Sequence, residues 1–251
     1  MTSSSTTSQP HLFGVLAGLF LAIGISFAAS ILANTWVHLR ESQIITTAGS
    51  ARQNIKSDLV VWDGELTVEH KTLAEAHAKF QQDFNLVQNF LKQREFPNFT
   101  VSPVKIQEIY RGKNSSDAES DIAREIVGYR LIQGFQISSS QISGITRLAA
   151  ENLELLGQDV ALQTRTIQFI YTKVEDTRVQ MASAATADAR RRAEEIANQG
   201  GRTIAHLRTA KMGVVQINPV HSTATSWEGN NDTSTFEKTI IITVSAEFAL
   251  N

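Results

Sequence analysis

One long apolar segment, from His11 to Val37, lies ahead of a mixed and more polar remainder. It contains no Asp, Glu, Lys or Arg, and about 20 consecutive apolar residues are enough for a helix to cross a bilayer. No later segment of the sequence repeats this composition. The sequence therefore predicts a single transmembrane helix over residues 11–37, which carries one exposed domain.

A secretory signal peptide is the alternative interpretation of this segment. Residues 28–30 and 32–34 both resemble a small-residue cleavage site. A signal peptide normally opens with basic residues, however, whereas Met1 to Pro10 is rich in Ser and Thr and has no Lys or Arg. Trp36 suits an aromatic anchor at the membrane interface. We therefore favour a retained anchor, or an uncleaved signal, preceded by a disordered N-terminus over residues 1–10.

Charge and cysteine content exclude several classes of partner. The net charge is −2, and there is no cysteine, which rules out disulfides and cysteine-ligated metals. The one cationic run, Arg190-Arg191-Arg192, has Asp188 and Glu194 at the three- and four-residue spacings of exposed helical ion pairs. We therefore expect no nucleic-acid partner, because a binding face needs clustered cations without matching acids.

Basic residues give a weak indication of orientation. Arg40, Arg52 and Lys56 all follow the apolar segment, so a positive-inside count taken alone would leave the main domain in the cytoplasm. Three scattered cations do not decide the orientation, because the rule weighs short flanks and has exceptions.

The remainder alternates strand and helix patterns in a β-α-β-β order that occurs twice. This predicts an α+β fold with helices on one face of largely antiparallel sheets, duplicated over halves of about 43–139 and 140–251. A helix from Gln141 to Leu156, with Ser140 as N-cap and Gly157 past its end, joins the halves. The first half contains a short strand at Gln43–Ala48, strands at Leu59–Glu69, Thr100–Arg111 and Ile126–Ser138, and a helix from Thr72. The second half contains strands at Thr164–Val174, Ile204–Ile217 and Phe236–Phe248, and a helix at Thr177–Gln199.

Local signals support these boundaries. Thr72 and Glu75 have the spacing of a capping box, and Gly200-Gly201 is typical of a helix C-cap. Small residues at 182, 185, 189 and 193, together with Ile196, form a stripe that would let the last helix approach a sheet closely. The polar loops at Gly112–Arg124, with Asp117, Glu119 and Asp121, and at His221–Thr235 are interpreted as flexible hairpin tips.

Three segments carry a resemblance to a known family. Ala182–Gly200 (ASAATADARRRAEEIANQG), Met212–Ile217 and Thr243–Phe248 resemble the SIMPL-domain, or YggE-like, family of bacterial envelope proteins, over the chain from about Gln43 to its end. The resemblance implies an extracytoplasmic α+β domain, frequent self-association and a loose link to stress tolerance, with no established reaction and no catalytic residue. Together with the anchor it implies a single-pass protein of the bacterial inner membrane, with the main domain extracytoplasmic.

Motifs for catalysis are absent from the sequence. It contains no phosphate-binding glycine loop, no H-E-x-x-H pair among its histidines and no G-x-S-x-G elbow. His70 and His77 come closest to a metal-binding spacing, and we interpret them as solvent-facing. The sequence therefore predicts no catalytic, cofactor-binding or metal-binding residue, no cofactor and no enzymatic activity.

The leading hypothesis is a non-enzymatic, membrane-anchored envelope protein that self-associates as a scaffold or ring-like assembly. This hypothesis includes a link between the protein and stress tolerance. Its expected partners are the membrane, through residues 11–37, and further copies of the chain; a small-molecule ligand is left undefined. The alternative is a periplasmic binding module that captures a small molecule, a peptide or an envelope partner between its two halves. A hydrolase whose site is assembled only in space ranks last.

Overall fold

The computed structural model describes residues 10–40, 44–111 and 125–251. Residues 1–9 of the predicted disordered N-terminus and the predicted loop Gly112–Arg124 lie outside the described residues. The helices are α1 (Pro10–Arg40), α2 (Leu73–Gln93), α3 (Ile142–Glu151) and α4 (Val174–Gln199), with a 3-10 helix at Asn152–Gln158. The strands are β1 (Ile44–Lys56), β2 (Leu59–His70), β3 (Thr100–Val101), β4 (Lys105–Tyr110), β5 (Ile126–Ser139), β6 (Leu162–Ile170), β7 (Ile204–Met212), β8 (Gln216–Pro219), β9 (Asn230–Asn231) and β10 (Glu237–Leu250).

Helix α1 contains the predicted apolar segment. Within it, Gly14–Ala33 is long and apolar enough to cross a membrane, and none of that window is buried. A signal sequence near an N-terminus has the same properties. Among the described helices, α1 is the one that meets this criterion.

The strands form two largely antiparallel sheets, which confirms the predicted α+β class. In the first sheet the order is β3-β5-β2-β6, with β4 also paired to β5. In the second sheet the order is β1-β10-β8-β9, with β7 also paired to β10. The short β8–β9 pair is parallel. Strand β6, predicted to open the second half, thus pairs with β2 of the first half.

The chain divides into two compact units that are interleaved in sequence. The terminal unit comprises Met1–Ser50, Ser183–Gly213 and Thr243–Asn251, and the central unit comprises Ala51–Ala182 and Val214–Ile242. Strands β1 and β10 and helix α4 each contribute residues to both units. The predicted halves, in contrast, are continuous in sequence, and the internal duplication stays a prediction.

The core of the central unit lies between α2, α3 and one face of the first sheet. Even-numbered residues of β2, such as Trp62 and Leu66, are buried, and odd-numbered ones are half-exposed. Helix α2 begins as predicted, because the Thr72 hydroxyl accepts a hydrogen bond from the Glu75 amide (3.3 Å) and donates to the Glu75 carboxylate (2.6 Å). Burial of the apolar face of α2 against the sheet stabilises this unit through the hydrophobic effect. The core residues are Val60, Trp62, Leu66, Val68, Ala76, Phe80, Val87, Phe90, Leu91, Phe96, Leu131, Phe135, Ile137, Ile145, Leu148, Leu155, Val160 and Leu162.

The predicted helix from about Gln141 to Leu156 begins within one residue of its predicted start, but its predicted cap and its predicted end are wrong. Gln141 occupies the N-cap without a side-chain hydrogen bond, so Ser140 does not cap the helix. The α-helix ends at Glu151 and continues as the 3-10 helix, which contains Gly157. The chain turns at Asp159, whose φ is 61°. The carbonyl oxygens of Leu155 and Leu156 accept hydrogen bonds from the backbone amides of Val160 and Asp159 in this turn. The residue in the left-handed conformation is therefore Asp159, where a glycine is more usual.

The terminal unit is packed around the small residues of α4. Ala185, Ala189 and Ala193 of the predicted stripe are buried, and Ala182 is half-buried. The predicted place of Ile196 in the stripe is wrong, because Ile196 is 58% exposed and Ala197 is the buried residue of that turn. A Cβ added at Gly49 of β1 would lie 2.1 Å from the Ala185 carbonyl oxygen, so strand and helix touch backbone to backbone there. The Thr47 hydroxyl donates to the Ala189 carbonyl oxygen at 2.8 Å.

Helix α4 ends with the predicted glycines, in a Schellman motif. Gly201 has a φ of 68°, its amide donates to the Asn198 carbonyl, and the Arg202 amide donates to the Ala197 carbonyl. The start of α4 lies at Val174 and not at Thr177. The predicted strand Ile204–Ile217 is divided into β7 and β8, and the division falls where the chain passes from one unit to the other.

Candidate functional site

The face of the first sheet that α2 and α3 leave open carries a polar cleft in the central unit. The cleft has a volume of about 780 Å³. Asp63 accepts hydrogen bonds there from the Gln136 side chain (2.9 Å) and the Thr166 hydroxyl (2.7 Å). Arg165 donates to Glu65 at 2.8 Å. The side chains face the cleft because β2 alternates, so its odd-numbered residues point away from the core.

The charges of the polar cleft balance. Asp63 and Glu65 are matched by Lys105 and Arg165. Both carboxylates are hydrogen-bonded to side chains of neighbouring strands, which fixes their orientation. Such an arrangement can bind a polar ligand through preset donors and acceptors.

An apolar groove lies at the edge of the same sheet, on its helix side. It is formed by the start of α2, the segment before β4 and β4 itself, and has a volume of about 680 Å³. Ile106 of β4 is 56% exposed although its register partner Leu131 is buried. Within the described part of the chain, β4 is paired with β5. The groove is lined by Leu73, Ala74, His77, Phe80, Gln81, Val104, Ile106 and Leu131.

The two histidines considered from the sequence are held apart by different partners. His70 Nδ1 lies 2.8 Å from the Glu75 carboxylate, and His77 Nε2 lies 3.4 Å from the Gln81 side-chain amide. The hydrogen bond from Thr72 and the nearby His70 lower the pKa of Glu75. These contacts belong to the exposed start of α2. Among the described residues no three His, Asp or Glu side chains are placed to hold a metal ion.

A buried lysine is the main polar feature that sequence reasoning missed. Lys238 is 1% exposed, and its ammonium donates to the carbonyl oxygens of Phe169 (2.6 Å) and Asp232. Burial lowers the pKa of Lys238, and the charge of Asp232 acts in the opposite direction. The sequence contained a signal for this burial, because Lys238 alternates in phase with Ile240 and the other inward-facing residues of β10. Its ammonium attaches the segment before β10 to β6.

The segment His221–Thr235, predicted as a flexible hairpin tip, is a hydrogen-bonded loop. The Gln216 side chain donates to the Ser226 carbonyl (2.6 Å) and accepts from the Ser226 amide (3.2 Å). The Asn218 side chain donates to the Ala224 carbonyl at 2.7 Å. The loop contains β9 and presents Trp227 to solvent.

Comparison with family models gives a match over both sheets and helices α2 to α4. The model of the SIMPL domain, described as a protein of unknown function (DUF541), matches residues 45–248. The chain belongs to the SIMPL family. A search of curated proteins found no match. The predicted resemblance is therefore confirmed, and α1 lies outside the SIMPL match.

Membership of the SIMPL family does not assign roles to residues, because the family description names no reaction. The polar cleft, the apolar groove and Lys238 all lie within the matched residues. The absence of catalytic, cofactor-binding and metal-binding residues stays a prediction.

Proposed function

We propose that this SIMPL protein is a non-enzymatic, single-pass protein of the bacterial inner membrane. Its domain is extracytoplasmic and self-associates as a scaffold or ring-like assembly linked to stress tolerance. The observation that supports the self-association is the apolar groove formed by the start of α2 and β4, where Ile106 is 56% exposed. Contiguous exposed apolar surface is typical of an interaction site.

Helix α1 supports the membrane location. Its window Gly14–Ala33 is entirely exposed, so it contributes nothing to the core of the domain. A bilayer is the environment in which such a helix buries its apolar surface. Family membership supports the extracytoplasmic side, because the SIMPL resemblance is to envelope proteins.

The pairing of the polar side chains supports a non-enzymatic role. The Thr72–Glu75–His70 cluster superficially resembles a relay of nucleophile, acid and base, but its hydrogen bonds cap α2. In the polar cleft, Asp63 and Glu65 are each bonded to a neighbouring side chain. These groups stabilise the fold through the bonds they already make.

The test is the mass of the full-length protein in detergent, measured by light scattering over a range of concentrations. We expect an oligomer for the native chain and a smaller species for Ile106→Asp, because a charge in the groove would have to be desolvated in the assembly. Leu153→Asp is the matched control, since Leu153 is 67% exposed and lies outside the groove. A native chain that stays monomeric at every concentration would contradict the proposal.

The polar cleft favours a second candidate, a module that binds a small molecule or peptide. Its test is a thermal-shift screen of amino acids, sugars and short peptides, since a ligand that binds only the folded state raises its stability. A true ligand should raise the melting temperature of the native chain and not that of Asp63→Asn. A screen in which no compound separates the two chains would count against this candidate.

A further inference from the structure

The end of α1 fixes one end of the terminal unit close to the anchor. Helix α1 ends at Arg40 and β1 begins at Ile44. Four peptide units can span at most about 14 Å. The start of β1 is therefore held within that distance of the end of the apolar helix.

Other elements of the terminal unit meet at the start of β1. Ile45 and Ile204 both pack against the cluster formed by Ala189, Ala193, Ala246 and Phe248. Leu250 is the register partner of Ile204, and the Asn251 amide donates to the Thr203 carbonyl at 2.8 Å. The start of β7, the end of β10 and the last turns of α4 thus lie beside the start of β1.

We call this end of the terminal unit the proximal rim and define it by Ile44, Ile196, Arg202 and Leu250. Ile196 is 58% exposed on the last turn of α4, and Ile44 and Arg202 are also exposed. Leu250 is half-buried. The rim therefore presents apolar side chains next to a cation, the composition that favours a membrane interface.

The charge of the two units is unequal. The terminal unit contains seven Lys and Arg against five Asp and Glu, a net charge of +2 with histidine neutral. The central unit contains sixteen against twenty, a net charge of −4. Near the rim, Glu194 is paired with Arg190 at 2.9 Å. The unit attached to α1 is thus the one whose charge suits an anionic surface.

We propose that the proximal rim rests on the lipid headgroups of the membrane that α1 spans, with Ile44 and Ile196 in the interface and Arg202 near lipid phosphates. This inference deepens the proposed function and depends on its membrane anchor. It makes the bilayer a docking surface for the terminal unit, in addition to a place of attachment for α1.

The experiment uses single-cysteine variants of the full-length chain, which has no native cysteine. Ile196→Cys and its control Met212→Cys carry the same fluorophore, and the protein is reconstituted into vesicles that contain nitroxide-labelled headgroups. Met212 is 47% exposed. It lies at the far end of β7, about 26 Å from Ile204 at the usual rise of a strand. Vesicles of phosphatidylcholine alone are compared with vesicles in which phosphatidylglycerol replaces part of it.

We expect the label at position 196 to lose fluorescence and the label at position 212 to keep it. The loss should be greater with phosphatidylglycerol. Arg202→Glu should weaken it, because each charge near an anionic surface changes the bound population by about fivefold.

Equal fluorescence at both positions, in protein that floats with the vesicles, would contradict the contact between the proximal rim and the lipid headgroups. The membrane anchor α1 would still be supported. Disulfide-linked dimers of unlabelled Ile196→Cys protein, together with an unquenched label at position 196 in the labelled protein, would replace the lipid surface with a second copy of the chain. Protein that fails to float with the vesicles would contradict the membrane anchor α1. It would also contradict the docking of the proximal rim, which depends on that anchor.

Discussion

Replacing Gly49 by alanine should destabilise the terminal unit, because β1 and α4 have no room for a methyl group there. The added Cβ would lie 2.1 Å from the Ala185 carbonyl oxygen and 2.2 Å from the Ala189 amide nitrogen. Ordinary contact begins at 3.4 Å, so the first distance is 1.3 Å too short. Both obstructing atoms belong to the backbone, so no side-chain rotation can relieve the clash.

The loss of unfolding free energy in Gly49→Ala depends on how far β1 must move away from α4. Overpacking a close-packed site costs about 1–3 kcal/mol. A strand that retreats from α4 also weakens the bond from the Thr47 hydroxyl to Ala189, whose net contribution is about 1 kcal/mol. We therefore expect Gly49→Ala to lose roughly 2–4 kcal/mol, which lowers the melting temperature of a chain of this size by roughly 4–16 °C.

The assay is thermal and urea unfolding of the full-length chain in detergent, followed by circular dichroism. Gly157→Ala is the control, because no heavy atom lies within 4 Å of its added Cβ. That variant should change the unfolding free energy by at most about 1 kcal/mol, in the stabilising direction. A Gly49→Ala chain as stable as the native one would refute the close approach of β1 to α4.

Three further predictions concern the central unit. Thr72→Ala should lose about 1 kcal/mol of unfolding free energy through the lost cap of α2, whereas Thr146→Ala, on an exposed helix position, should lose less; equal losses would argue against the cap. Burial works to raise the pKa of Asp58, but hydrogen bonds from the Thr172 amide and hydroxyl lower it overall. Asp58 should therefore stabilise the fold above its unfolded pKa of about 3.9 and lose this effect as the pH falls through its folded pKa; an acid unfolding curve unchanged in Asp58→Asn would exclude this. Lys238→Met should lose about 2–4 kcal/mol in urea titrations, because two carbonyl oxygens lose their buried donor, and a neutral result would show that water or repacking replaces the ammonium.

Features that depend on neighbours in sequence were predictable. The capping box at Thr72, the alternation of β5 and β10, and the glycine end of α4 are each specified by a few adjacent residues. The alanines at positions 185, 189 and 193 were also correctly interpreted as a stripe for close backbone approach, whereas Ile196 was wrongly placed in that stripe. Gly49, which completes that approach from β1, carries no signal of its own in the sequence.

Features that depend on distant partners were not predictable. Strand β6 follows the first half and pairs with its β2, whereas β1 pairs with the last strand, β10. Alternating patterns show which face of a strand is buried and not which strand lies beside it. The candidate sites could not be predicted for the same reason. Asp63 gains its partners Gln136 and Thr166 only when β2, β5 and β6 lie side by side.

The position of β10 in the second sheet has a consequence for folding during synthesis. This strand, Glu237–Leu250, lies between β1 on one side and β7 and β8 on the other. While the chain is still emerging, strands β2 to β6 can pair with one another, but β1 has no neighbour in its sheet. Strand β1 has 13 residues. An unpaired strand of that length is exposed to aggregation and proteolysis until its partner strand has been synthesised. Strand β1, which lies nearest the apolar helix, therefore waits longer for its partner than any other strand of the domain.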